Sequence, residues 1–167
     1  DRINPVVESY PNGKSLWQYP LRQPLEKQIE DSFGLTSNQI MCTNGGDEAI
    51  MILMRIINER VNAKDGKLIL PLPAFSQYTD GLKSWSIDAC QIPPLNEELA
   101  IDKVGVLEAI NSTTESVIVL TRPNNPTGEH ITLNWLTELI ESAAKNNRWV
   151  VVDEAYIEFS ETESVVI

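Results

Sequence analysis

The stretch Ser116-Val117-Ile118-Val119-Leu120-Thr121-Arg122-Pro123-Asn124-Asn125-Pro126-Thr127-Gly128 decides how the rest of the chain is read. Its first half is a short apolar run rich in β-branched residues, the pattern of a strand buried on both faces of a parallel sheet. Its second half brackets two asparagines between two prolines and ends on a glycine, which makes a stiff turn with its amide side chains held in place. Ligands of open parallel sheets bind beyond the carboxyl ends of the strands. A rigid loop carrying amides at such an end suits the holding of a polar atom, although a surface turn could have the same composition.

Outward from this strand the chain alternates between the two periodicities. Lys67–Leu70 and a stretch around Asp88–Ile92 read as strands, and Trp149–Val152 as the last clear one, ending at Asp153. Between them lie helical patterns. Glu48–Asn62 places Ile50, Leu53, Met54 and Ile57 on one face, Ser76–Trp85 follows the second strand end, Asp102 caps a helix to Ile110, and Thr132 caps Leu133–Asn146. Earlier, Pro24 opens a helix over Leu25–Phe33 that Gly34 terminates. Ile40–Thr43 reads as a further short strand. Residues 1–24, rich in Pro, Asn and Gly, form an arm or loop, and 25–167 one domain. Strands alternating with helices of this length imply an α/β fold with a mostly parallel sheet and helices on both faces.

Four strand ends then become candidate sites. After Thr43, Asn44-Gly45-Gly46-Asp47-Glu48 lets the backbone approach a ligand closely at the start of a helix, whose free N–H groups and positive dipole end favour an anion. The same residues would also make an ordinary tight turn with Asp47 as helix N-cap. After Leu70, Phe75 could stack on a flat ring or belong to the core. After Leu120 comes the Pro/Asn loop with Asn125. After Val152, Asp153 is costly to bury as a carboxylate unless something positive meets it, and Tyr156 follows three residues on; Asp153 could instead cap a turn.

Charge and composition remove several classes. The chain has 24 acidic against 13 basic residues, a net charge of −11, so neither nucleic acid nor an anionic membrane surface is an expected partner. Its apolar runs are too short to span a bilayer. Asp1-Arg2-Ile3-Asn4-Pro5 has no apolar stretch of a secretion signal, and the lack of an initial Met fits a piece of a longer protein. Cys42 and Cys90 have neither a close pair spacing nor a neighbouring histidine, and read as small hydrophobes of a reducing, cytoplasmic compartment rather than as metal ligands. A nucleotide-binding phosphate loop around Gly13-Lys14-Ser15 fails, since Glu8 stands where its first glycine is needed. Asp153 and Glu154 are not a glycosidase pair, because adjacent strand residues point to opposite faces. His130, the only histidine, is expected in a solvent-facing loop.

Together, Asn44-Gly45-Gly46-Asp47-Glu48, Pro123-Asn124-Asn125-Pro126-Thr127-Gly128 and Val152-Asp153-Glu154-Ala155-Tyr156-Ile157-Glu158-Phe159 resemble, in order and spacing, the fold type I aminotransferases that use pyridoxal 5′-phosphate (PLP), most of all the histidinol-phosphate aminotransferase group. The resemblance runs from about Tyr19 onward. It implies that 25–167 is part of a PLP-binding large domain. The amides of Gly46 and Asp47 would hold the phosphate, Phe75 would stack on the pyridine ring, and Asn125 and Tyr156 would bond its phenolic oxygen. Asp153 would pair with the ring nitrogen. Tyr19 would reach the cofactor of the neighbouring subunit in a homodimer.

The pattern also departs from the family. Its catalytic lysine is expected about 30 residues past the aspartate, beyond Ile167, and the substrate-binding arginines also lie downstream. Gly46 stands where relatives often carry a small hydroxyl residue, and Arg122 puts an unexplained positive charge near the pocket mouth. The resemblance implies transfer of an amino group from an amino acid or amine to a 2-oxo acid. A PLP-dependent decarboxylase of phosphorylated amino acids with nearly the same motifs, or a non-catalytic PLP-binding or assembly fragment, remains open.

Overall fold

The computed structural model describes residues 21–36, 39–112 and 116–165. The chain divides into two compact units, Asp1–Cys42 and Thr43–Ile167.

In the first unit, helix α1 spans Gln23–Phe33. It starts two residues before the expected Leu25, with Pro24 inside its first turn, where a missing N–H costs nothing. Gly34 closes it at φ +65, a left-handed geometry that a Cβ would disfavour. Ile40–Thr43 is not a strand. Its backbone groups find side-chain partners instead of a neighbouring strand: Cys42 N–H donates to the Glu26 carboxylate at 2.8 Å, and its carbonyl accepts from Arg22 at 3.0 Å.

The second unit is built on strands β1 (Lys67–Pro71), β2 (Ala89–Ile92), β3 (Ser116–Thr121) and β4 (Trp149–Asp153), all parallel in the order β2-β1-β3-β4. Strict alternation along the strands sorts their side chains between two cores. Leu68, Leu70, Val117, Val119 and Val151 pack under helices α2 (Gly45–Asn62) and α3 (Ser76–Ser84). Ile69, Ile118, Leu120, Val150 and Val152 pack under α4 (Lys103–Ser112) and α5 (Leu133–Lys145). Each helix exists because its apolar stripe closes one of these faces. Both expected caps are present: the Asp102 carboxylate accepts from Gly105 N–H at 2.9 Å, and the Thr132 hydroxyl from Trp135 N–H. From β1 the chain runs one way to β2 and the other way to β3 and β4, so the sheet changes direction at the carboxyl ends of β1 and β3.

Arg122 is not at a pocket mouth. It follows Thr121 at the end of β3 and is fully buried. Its Nε donates to the Ile131 carbonyl at 2.8 Å and its Nη1 to the Glu154 carboxylate at 2.7 Å and the Glu163 carbonyl at 2.9 Å. Glu154 also accepts from Ser164 and from Val165 N–H. This cluster ties the segment after β4 to the loop between β3 and α5.

Deleting one member of a buried ion pair strands the other, at a cost of about 3–5 kcal/mol. Glu154→Ala is therefore expected to lower the urea-unfolding free energy by that amount.

Candidate cofactor site

A cavity of about 470 Å³ opens at the carboxyl ends of β3 and β4, on the face covered by α2 and α3. Its walls come from four segments that are distant in sequence.

The first is the start of α2, which begins at Gly45, three residues earlier than expected. Gly45 has φ +78, and the Glu48 carboxylate accepts from Asn44 N–H and closes the turn. Asp47 is thus inside the first turn and is not the N-cap. The N–H groups of Gly45, Gly46 and Asp47 belong to the helix positions that have no intrahelical acceptor. Gly46 and Asp47 line the cavity, and a Cβ added at Gly46 would meet no atom within 4 Å.

The second wall is Phe75, the residue before α3, and Tyr78 in that helix's first turn. The third is Asn125. Its neighbour Asn124 is buried, donating to the Pro73 carbonyl at 3.1 Å and the Thr127 hydroxyl at 2.9 Å. The two asparagines divide the work: Asn124 fastens the loop to the β1–α3 connection, and Asn125 faces the cavity.

The fourth wall is the end of β4. Asp153 has the phase of Val151 and so lies on the cavity side, while Glu154 turns to Arg122 on the other. One Asp153 oxygen accepts from the Tyr78 hydroxyl at 2.7 Å and the other from Ala155 N–H at 3.0 Å. Burial first, then the hydrogen bond and the charge of Asp153, push the Tyr78 hydroxyl above its ordinary pKa of 10.0. Tyr156 completes the wall.

Gly46, Asp47, Phe75, Asn125, Asp153 and Tyr156, each singled out from the sequence, therefore border one hollow. Tyr19 lies outside the described residues. Sequence reasoning missed Tyr78 and Thr121. Tyr78 stands one helical turn past the candidate Phe75, and Thr121 shares the phase of Val117 and Val119 and pairs with Asp153 across the sheet. Among the described residues no lysine lines the cavity.

A second, more open groove shares Asn125 and Tyr156 and is walled by His130 and Phe159. His130 does not face solvent as expected: both ring nitrogens are buried and lack a hydrogen-bond partner among the described residues. The loop folds back here, with Asn124 N–H bonding the Glu129 carbonyl at 2.8 Å, and carries the ring inward.

A parallel sheet with a helix start and a carboxylate bordering one cavity at its strand ends has the form of a ligand-binding α/β domain, and sequence comparison says which. The family model for aminotransferase class I and II matches residues 11–166, and the chain belongs to that family. It is 33% identical over 156 residues to a histidinol-phosphate aminotransferase of Buchnera aphidicola subsp. Diuraphis noxia, covering 92% of this chain and 41% of the relative. It is 34% identical over 155 residues to histidinol-phosphate aminotransferase 2 of Carboxydothermus hydrogenoformans, covering 92% of this chain and 38% of the relative. The chain thus spans less than half the length of these relatives. Among solved structures, the histidinol-phosphate aminotransferase of Clostridium acetobutylicum matches with a TM-score of 0.75 at 24% identity, over 92% of this chain and 44% of that one. The L-threonine-O-3-phosphate decarboxylase of Porphyromonas gingivalis matches at 0.72 and 21% identity, over 92% and 43%. Both show the same fold. Among the described residues no helix is long and apolar enough to cross a membrane.

The folded protein keeps the Tyr78 proton above pH 10.0, where the unfolded chain releases it. This contribution to stability is complete below that pH and is lost as pH rises beyond it. An alkaline tyrosinate absorbance titration is expected to show one tyrosine that ionises only as the protein unfolds, and Tyr78→Phe to abolish that late component.

Proposed function

We propose that this chain forms the PLP-binding part of an aminotransferase of the histidinol-phosphate type, which moves an amino group from an amino acid or amine to a 2-oxo acid. The observation that carries the reading is the single cavity bordered by Gly46, Asp47, Phe75, Asn125, Asp153 and Tyr156.

The hollow fits the cofactor on its own chemistry. Its volume is in the usual range of about 300–1,000 Å³ for small-molecule sites. The unpaired N–H groups at the start of α2 suit a phosphate, and the bare Gly46 leaves room for it. Phe75 offers an apolar face to a planar ring, and Asn125 and Tyr156 offer hydrogen bonds to a ring oxygen. Asp153 offers a negative charge to a ring N–H⁺. When bound, PLP supplies an aromatic ring that accepts electron density from the substrate once the Cα proton has left.

The protein's own contribution is then orientation and charge. The α2 amides would hold the phosphate, Phe75 would stack on the ring, and Asp153 would keep a proton on the ring nitrogen. The lysine that the resemblance places past Ile167 would supply the covalent link and move the proton. Residues 25–167 would form part of the large domain of a cytoplasmic homodimer. Substrates are amino acids and 2-oxo acids.

In the full-length protein, PLP is expected to bind and amino transfer to follow. Asp153→Ala should cut the rate by at least about 10²-fold while the circular dichroism stays native. Retained transfer would refute the role of Asp153, and release of carbon dioxide without transfer would point to a decarboxylase. Gly46→Ser, with room for its side chain, should tighten PLP binding by about 3- to 10-fold through an added hydrogen bond.

A further inference from the structure

Asp153 and Glu154 are neighbours at the end of one strand, yet the protein treats their charges in opposite ways. Glu154 meets a guanidinium, Arg122, at 2.7 Å, so its charge is cancelled inside the fold. Asp153 is met by neutral donors: the Tyr78 hydroxyl at 2.7 Å and Ala155 N–H at 3.0 Å, one on each oxygen. Among the described residues no ion pair involves Asp153.

A lysine or arginine in place of Tyr78 would also satisfy the carboxylate, but it would consume the charge that a cationic ligand needs. A neutral hydroxyl fixes the carboxylate and leaves its charge available. Tyr78 is itself anchored: it is 1% exposed, in the core beneath α2 and α3, and rises from the same turn as Phe75. Its hydroxyl holds its proton throughout the neutral range, so the donation does not switch off.

We propose that Tyr78 is a positioning residue which, with the Ala155 N–H, sets the plane of the Asp153 carboxylate for the ring nitrogen of PLP while leaving its full negative charge to that cation. This rests on the reading of the cavity as a PLP site. The aromatic ring of Tyr78 serves the core, and its oxygen serves the site.

The test uses the full-length protein and PLP binding measured by equilibrium dialysis, so it does not depend on turnover. Tyr78→Phe keeps the ring in the core, and the freed Asp153 oxygen faces a cavity where water can meet it. PLP affinity is expected to fall about 3- to 10-fold, the worth of one net hydrogen bond. In turnover assays kcat should fall with KM for the amino donor unchanged. In an Asp153→Asn background the same substitution should cost nothing further, because a residue that acts through Asp153 has nothing left to orient. Unchanged affinity in Tyr78→Phe, or a loss that adds in full to that of Asp153→Asn, overturns the inference and leaves the PLP reading standing. Absence of PLP binding by the unsubstituted protein removes the PLP reading and this inference with it. Asp153→Glu gives an independent check if Tyr78→Phe does not fold: it keeps the charge but moves the carboxylate off both donors. Its affinity should drop as well, and wild-type affinity there would overturn the proposal.

Discussion

A carboxylate at the end of a buried strand must be given donors or a counter-charge, and most of this unit's site follows from how Asp153 is accommodated. Parallel strands covered on both faces leave few polar atoms within reach. Tyr78 and the Ala155 N–H supply two hydrogen bonds, one to each oxygen. The donors satisfy the group without neutralising it. A negative charge is thereby held at the floor of a cavity that also carries an aromatic wall and the start of a helix.

The period of two along β4 keeps this charge separate from the one beside it. Val151 and Asp153 belong to the α2/α3 side, while Glu154 reaches Arg122 on the other. The Arg122–Glu154 cluster braces the segment after β4, and with it the stretch that leads away from Tyr156. A sheet one residue thick thus carries a cavity-lining carboxylate on one face and a structural ion pair on the other.

The proposed site would place an anion in a chain that is itself acidic. With a net charge of −11, no long-range field attracts a phosphate. On the proposed reading the α2 start would act at short range instead, through N–H groups that helix geometry leaves without partners and a glycine beside which there is open space.

Much of this was legible in the residues themselves. Short β-branched runs alternating with amphipathic stretches demand a covered parallel sheet, and strand ends are where such a sheet can hold a ligand. Asn125, Asp153 and Tyr156 could be picked out for that reason. Other features depended on partners remote in sequence. Ile40–Thr43 is apolar enough for a strand, but the Glu26 and Arg22 side chains occupy the N–H and carbonyl of Cys42 in its middle. Arg122 and His130 lie in a loop that reads as exposed until the chain folds back and buries the Arg122 side chain and the His130 ring nitrogens. Tyr78 reads as core, which it is; only the approach of α3 to the end of β4, 75 positions along the chain, brings its hydroxyl to Asp153. Local periodicity determines which face a side chain takes. Which atoms then meet across that face is decided by tertiary packing, because hydrogen bonds are settled by distances of a few tenths of an ångström that no spacing in the sequence encodes.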